Sequence, residues 1–76
     1  MYKDLFEELV SAQEEKIYQC AKSIIPNITK DDLLQPNDYR QLELNPYFRY
    51  EEGVLEGLRT AQMALIALLS DPPKEF

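Results

Sequence analysis

The stretch NPYFRYEEGVLEGLRTAQMALIALLSDP, residues Asn45–Pro72, decides the fold of this 76-residue chain. Asn45 is a common helix-capping residue, and Pro46 suits the first helical position, where its missing N–H costs nothing. No further proline occurs until Pro72, so the stretch predicts one helix over about 46–70. With a rise of about 1.5 Å per residue, this helix is longer than about 30 Å.

The predicted helix is apolar around more than half of its circumference. Its expected core face comprises Tyr47, Tyr50, Val54, Leu58, Ala61, Leu65, Leu68 and Leu69. The flanks add Leu55, Ile66, Gly53, Gly57 and Ala64, and the clearly polar strip is only Arg49, Glu52, Glu56 and Arg59. A two-helix hairpin covers one side of such a helix, so the pattern predicts a further contact with a protein partner.

Two glycines inside this helix indicate where that contact lies. A glycine within a helix costs about 1 kcal/mol relative to alanine, so Gly53 and Gly57 favour close approach by another helix. The alternative is that both sites are simply tolerated, or that they leave room for aromatic side chains of the preceding segment. The predicted interface is Gly53, Gly57, Ala61, Ala64, Leu65 and Leu68.

A first amphipathic helix is predicted over about 2–25, because apolar residues recur there at helical spacing. The apolar stripe comprises Tyr2, Phe6, Leu9, Val10, Gln13, Ile17, Cys20, Ala21 and Ile24, and the opposite face comprises Asp4, Glu8, Ser11, Glu15, Gln19 and Lys22. Gln13 is the polar residue in mid-stripe, and we expect it to bond across the helix contact or to fix the register. Cys20 is expected to be a core cysteine, since the chain has no histidine to activate it.

Residues 26–44 are predicted to be an ordered connector between the two helices. They contain no glycine, and their apolar residues are Ile28, Leu33, Leu34, Tyr39, Leu42 and Leu44. Thr29 with Asp32 predicts a short helical turn at 30–35, and Asn37 is expected to cap another at 38–43. The sequence therefore predicts an all-α fold, a single helical domain over 1–76 with a short tail at 71–76. We expect this helical hairpin to form a helical bundle on dimerisation.

The size and charge of the chain exclude several classes of function. Fourteen acidic and eight basic residues give a net charge of −6, which argues against binding to nucleic acid or to an anionic membrane. One cysteine and no histidine argue against an internal disulfide or a zinc site. A domain this small is marginally stable alone, so a partner subunit is the expected source of stability. The lone cysteine and the charged N-terminal residues lead us to expect a cytoplasmic protein.

Other local clusters have ordinary structural interpretations. Tyr47, Phe48, Arg49 and Tyr50 form either a partner-docking patch or, as we favour, packing at the bundle end with Arg49 paired to Glu52 or Glu56. The acidic groups Asp31, Asp32 and Asp38, or Glu51 and Glu52, match no metal-binding loop, and solvated surface is the favoured interpretation. No catalytic or cofactor motif supports an enzyme, so we expect neither catalysis nor a cofactor.

The leading functional hypothesis is a non-enzymatic protein–protein assembly module, either a homodimer or a small adaptor subunit. In outline, through Pro36-Asn-Asp-Tyr39 and through Leu55-Glu56-Gly57 before an apolar helix end, the chain resembles the small helical-hairpin cochaperones of type III secretion needle proteins. The likeness covers about half of the chain, has no counterpart for Asn45–Glu52, and implies a subunit of a secretion hetero-complex or a related one. An acidic decoy that occupies a basic partner is the other alternative.

Overall fold

The computed structural model describes residues 2–70, with side chains from Asp4 onward, and the predicted tail at 71–76 lies outside this range. Helix α1 spans Tyr2–Ile24, helix α2 spans Arg40–Glu43 and helix α3 spans Pro46–Ser70. Two 3₁₀ turns, Asp32–Leu34 and Pro36–Asp38, precede α2 in the connector. Helices α1 and α3 pack along each other, and the described residues contain no strand. The predicted all-α helical hairpin is therefore confirmed.

The start of α3 is capped as its sequence predicts. The Asn45 Oδ1 atom accepts hydrogen bonds from the backbone N–H groups of Tyr47 and Phe48, at 2.9 and 3.0 Å. The first turn of a helix leaves its N–H groups without partners inside the helix, and these bonds satisfy those of Tyr47 and Phe48. Pro46 occupies the first helical position, where its ring already has a helical φ angle.

The connector is held by a reciprocal pair of hydrogen bonds. The Thr29 N–H donates to Asp32 Oδ2 at 2.9 Å, and the Asp32 N–H donates to Thr29 Oγ1 at 3.2 Å. The backbone donor of Thr29 is the main reason why the pKa of Asp32 lies below its ordinary value. The expected cap at Asn37 is wrong, because Asn37 lies inside a 3₁₀ turn and Tyr39 precedes α2 without a side-chain cap.

The hydrophobic core lies at the closed end of the hairpin, where the connector folds across α1 and the start of α3. Its buried apolar residues are Ile17, Ala21, Ile28, Leu42 and Phe48. No residue of 4–12 or 49–70 is fully buried. The open half of the hairpin therefore consists of two helices whose shared seam is only half-covered.

The predicted stripe of α1 is confirmed over its described side chains. Gln13, Ile17 and Ala21 are buried, and every residue of the expected polar face is exposed. The side chain of Tyr2, which the stripe also included, lies outside the described residues. Leu9 is the exception, since it is exposed near the open end of the hairpin.

The expected core face of α3 is wrong at its N-terminal end, where the helix is rotated toward Phe48, and it is also wrong at Ala61, Leu68 and Leu69, which are exposed. Phe48 is 1% exposed, whereas Tyr47 and Tyr50 are 76% and 68% exposed. The seam with α1 is lined by Phe48, Glu51, Leu55, Leu58, Gln62 and Leu65. Phenylalanine has no polar atom to satisfy, while each tyrosine hydroxyl requires water or another partner. The rotation therefore buries the ring that needs no hydrogen bond and leaves both tyrosines in solvent.

Candidate functional site

One side of α3, next to the seam with α1, carries an apolar row along almost the whole helix. We call this row the outer face, and it comprises Tyr47, Tyr50, Val54, Gly57, Ala61, Ala64 and Leu68. Val54 is half-buried, and the other six residues are exposed. Their spacing alternates between three and four residues, which keeps them on one side through every turn. This is the spacing by which one helix presents a seam to another.

The outer face has no charged side chain. The charged residues of α3 are Arg49, Glu51, Glu52, Glu56 and Arg59, and all of them lie on other sides of the helix. The residues that border the outer face on the side away from α1 are also uncharged, namely Gly53, Thr60 and Ala67. A surface without charge is easily removed from water, because no ion has to lose its hydration shell.

The sequence-based interface falls largely on this exposed surface. Gly57, Ala61, Ala64 and Leu68 belong to the outer face and Gly53 borders it, whereas Leu65 is half-buried toward α1. A Cβ atom added at Gly53 or Gly57 would meet no heavy atom within 4 Å. Among the residues that the structure describes, the glycines therefore neither contact another helix nor make room for aromatic residues of the connector.

The aromatic cluster at the start of α3 is divided between core and surface. Phe48 belongs to the core, Tyr47 and Tyr50 lie on the outer face, and Arg49 forms an ion pair with Glu52 at 3.6 Å. The expected pairing of Arg49 is confirmed, but core packing of the whole cluster is wrong. Leu44, an apolar residue of the connector, lies just before the Asn45 cap and outside α3, and it is 65% exposed.

An open groove with charges of both signs lies along the α1–α3 seam, on the side of the seam opposite the outer face. Its three cations are each paired, Lys30 with Glu15 at 3.3 Å, Arg49 with Glu52 and Arg59 with Glu14. Burial raises the pKa of Glu52 above its ordinary value, and the nearby Glu56 adds to the rise against the opposing effect of Arg49. The cations of the groove therefore already have acidic partners within the chain. The outer face differs from the groove because it has no charged side chain.

The seam itself is polar at one buried point. Gln13 Nε2 donates to the backbone oxygen of Glu51 at 3.0 Å and to Glu51 Oε1 at 2.7 Å, which confirms the expected bond across the helix contact.

The pKa of the Cys20 thiol is raised mainly by burial and, to a smaller extent, by the negative charge of Glu51. Cys20 packs against the core cluster and stays protonated at neutral pH, as expected of a core cysteine.

Within residues 4–70, no three acidic, cysteine or histidine side chains come together in a way that could hold a metal ion. Over the same part of the chain, each helix is too short or too polar to cross a membrane.

Comparison of the chain with protein-family models, with curated protein sequences and with solved structures finds no match.

Proposed function

We propose that this chain is a non-enzymatic assembly module, acting as a homodimer or as a small adaptor subunit, and that it binds protein through the outer face of α3. The observation that carries the proposal is the uncharged row from Tyr47 to Leu68, which is exposed at every residue except the half-buried Val54. Apolar rows with alternating spacing of three and four residues are the usual contact surface between packed helices. The face is also long, because α3 has 25 residues.

The distribution of burial supports the same proposal. Fully burying a large apolar side chain is worth about 1.5–3 kcal/mol, and the open half of the hairpin buries none completely. Exposed large side chains there include Met63, Ile66, Leu68 and Leu69, of which Leu68 belongs to the outer face. Since a domain of this size is marginally stable alone, a partner that covers this surface adds stability that the single hairpin lacks.

The test introduces a charge into the outer face. Ala61→Glu and Leu68→Glu alter residues that are exposed in the hairpin, so each variant should keep its helical circular dichroism spectrum. Each should lower the mass measured by light scattering, because an unpaired carboxylate would have to be desolvated at the contact. The matched control is Ser11→Glu, which adds the same charge to the exposed polar face of α1.

Two results decide the proposal. An oligomer that Ser11→Glu leaves intact and that both outer-face variants dissociate supports it. An oligomer that survives Ala61→Glu and Leu68→Glu at full mass contradicts it, because the partner would then occupy another surface.

A further inference from the structure

We propose that the occupant of the outer face is the same face of a second copy, with the two α3 helices antiparallel about a two-fold axis beside Gly57. The inference rests on the proposed function, because it names the partner of the same surface.

Side-chain size along the outer face is graded in a way that fits an inverted copy. The N-terminal half holds Tyr47, Tyr50 and Val54, and the half that follows Gly57 begins with Ala61 and Ala64. Tyr50 lies seven residues before Gly57, and Ala64 lies seven residues after it. Antiparallel pairing about Gly57 therefore places Tyr50 of each copy over Ala64 of the other, and Val54 near Ala61. The large Tyr50 side chain then meets the small Ala64, as close packing requires, while Tyr47 falls near Leu68 at the ends of the contact.

Parallel pairing of the same faces would have the opposite effect. It would place Tyr47 against Tyr47 and Tyr50 against Tyr50 at one end, and Ala64 against Ala64 further along. The tyrosine pairs would hold the helix axes apart at the level where glycine and alanine need them close. The resulting gap would leave apolar atoms without contact partners, at a loss of dispersion energy.

Charge allows a contact between two copies at this face. Each copy has a net charge of −6, so such a contact is most favourable where neither copy contributes charge, and the outer face contains no charged side chain.

The space at Gly57 allows the helices to approach closely. No heavy atom lies within 4 Å of the position that a Cβ atom would take at Gly57, and its backbone faces open space. A residue beside a two-fold axis meets its own copy, so the smallest side chain at this position permits the shortest distance between helix axes.

Cysteine cross-linking tests the arrangement in the full chain. In a Cys20→Ser background, Gly57→Cys, Tyr50→Cys and Ala64→Cys each place one thiol on the outer face, and a short thiol-to-thiol reagent reports proximity. Fourteen residues of helix span about 21 Å, so an antiparallel pair keeps two thiols at position 50, or two at position 64, out of reach of each other. We expect Gly57→Cys alone to form a covalent dimer. Tyr50→Cys and Ala64→Cys should do so only when the two proteins are mixed.

The outcomes separate this inference from the proposed function. Efficient cross-linking of Tyr50→Cys to itself would overturn the antiparallel arrangement and leave the outer face as the docking surface. If the unsubstituted protein has the mass of a single chain in solution, the proposal that a second copy occupies the outer face is overturned. A dimeric parent whose mass Ala61→Glu does not change would overturn the docking surface itself. Circular dichroism of each cysteine variant confirms that the helices are retained, and the mixed pair gives a result even if Gly57→Cys disturbs the axis.

Discussion

Replacement of the two glycines of α3 by alanine should separate the stability of the hairpin from the stability of its assembly. In the single hairpin, the added methyl at Gly53 or at Gly57 meets nothing within 4 Å, so no overpacking opposes it. Alanine is about 1 kcal/mol more favourable than glycine inside a helix, because glycine has more backbone freedom in the unfolded chain. Each variant should therefore stabilise the isolated hairpin by about 1 kcal/mol, which for a domain of this size raises Tm by about 4–8 °C.

In the assembled protein the two variants should differ. Gly57 lies on the outer face beside the proposed axis, where a methyl from each copy enters the helix contact, at a cost of about 1–3 kcal/mol. Gly53 borders that face and is the matched control, with the same substitution in the same helix. Gly57→Ala should thus lose its extra stability over the parent as the oligomer forms, whereas Gly53→Ala should keep its extra stability.

The assay is urea unfolding followed by circular dichroism, at one protein concentration below the midpoint of assembly and one above it. Equal stabilisation by both variants at the high concentration would refute close helix packing at Gly57. Destabilisation by Gly57→Ala at the low concentration would refute the open space that the hairpin shows at this position. Destabilisation by Gly57→Ala is what the sequence pattern favours, and the structure confines that effect to the assembly.

Three further predictions concern the hairpin itself. Phe48→Ala should destabilise it by about 3–5 kcal/mol because the ring is 1% exposed, whereas Tyr47→Ala should change stability by less than about 0.5 kcal/mol in urea unfolding of the dilute protein. Asn45→Ala should cost about 1 kcal/mol in the same assay, because it leaves two N–H groups of α3 without their acceptor. Glu52→Gln should be more stable than the parent at pH 7, because burial raises the pKa of Glu52 and its charged form opposes folding. The extra stability of Glu52→Gln should disappear as the pH falls through the raised pKa of Glu52, where the parent carboxyl becomes neutral. Unfolding curves at pH 7 and at a pH below that pKa check this prediction.

Local signals in the sequence predicted the ends of the helices and the polar bond across them. Asn45 caps α3, Thr29 and Asp32 bond to each other at the connector turn, and Gln13 bonds across the seam, because each of these interactions depends on residues whose spacing can be read directly. The predicted cap at Asn37 was wrong because a capping residue acts only where a helix begins. At Asn37 the connector forms a 3₁₀ turn, and no helix begins there.

The facing of α3 could not be derived from periodicity alone. A helix that is apolar around more than half of its circumference can turn several sides toward its neighbour at similar cost, and tertiary contacts decide between them. Here the packing of Phe48 on Leu42 and the bonds from Gln13 to Glu51 set the rotation. The difference between a phenylalanine and the two tyrosines beside it was the available signal, since only the tyrosines need polar partners.

The mass of the purified chain in solution tests the central claim most directly. Two copies of the 8.9 kDa chain amount to 17.8 kDa, and sedimentation equilibrium at micromolar concentrations should find this mass. The same measurement on Leu68→Glu should find 8.9 kDa with the helical spectrum unchanged. A parent chain that sediments only as an 8.9 kDa species over the whole concentration range would contradict the self-association of the hairpin through α3.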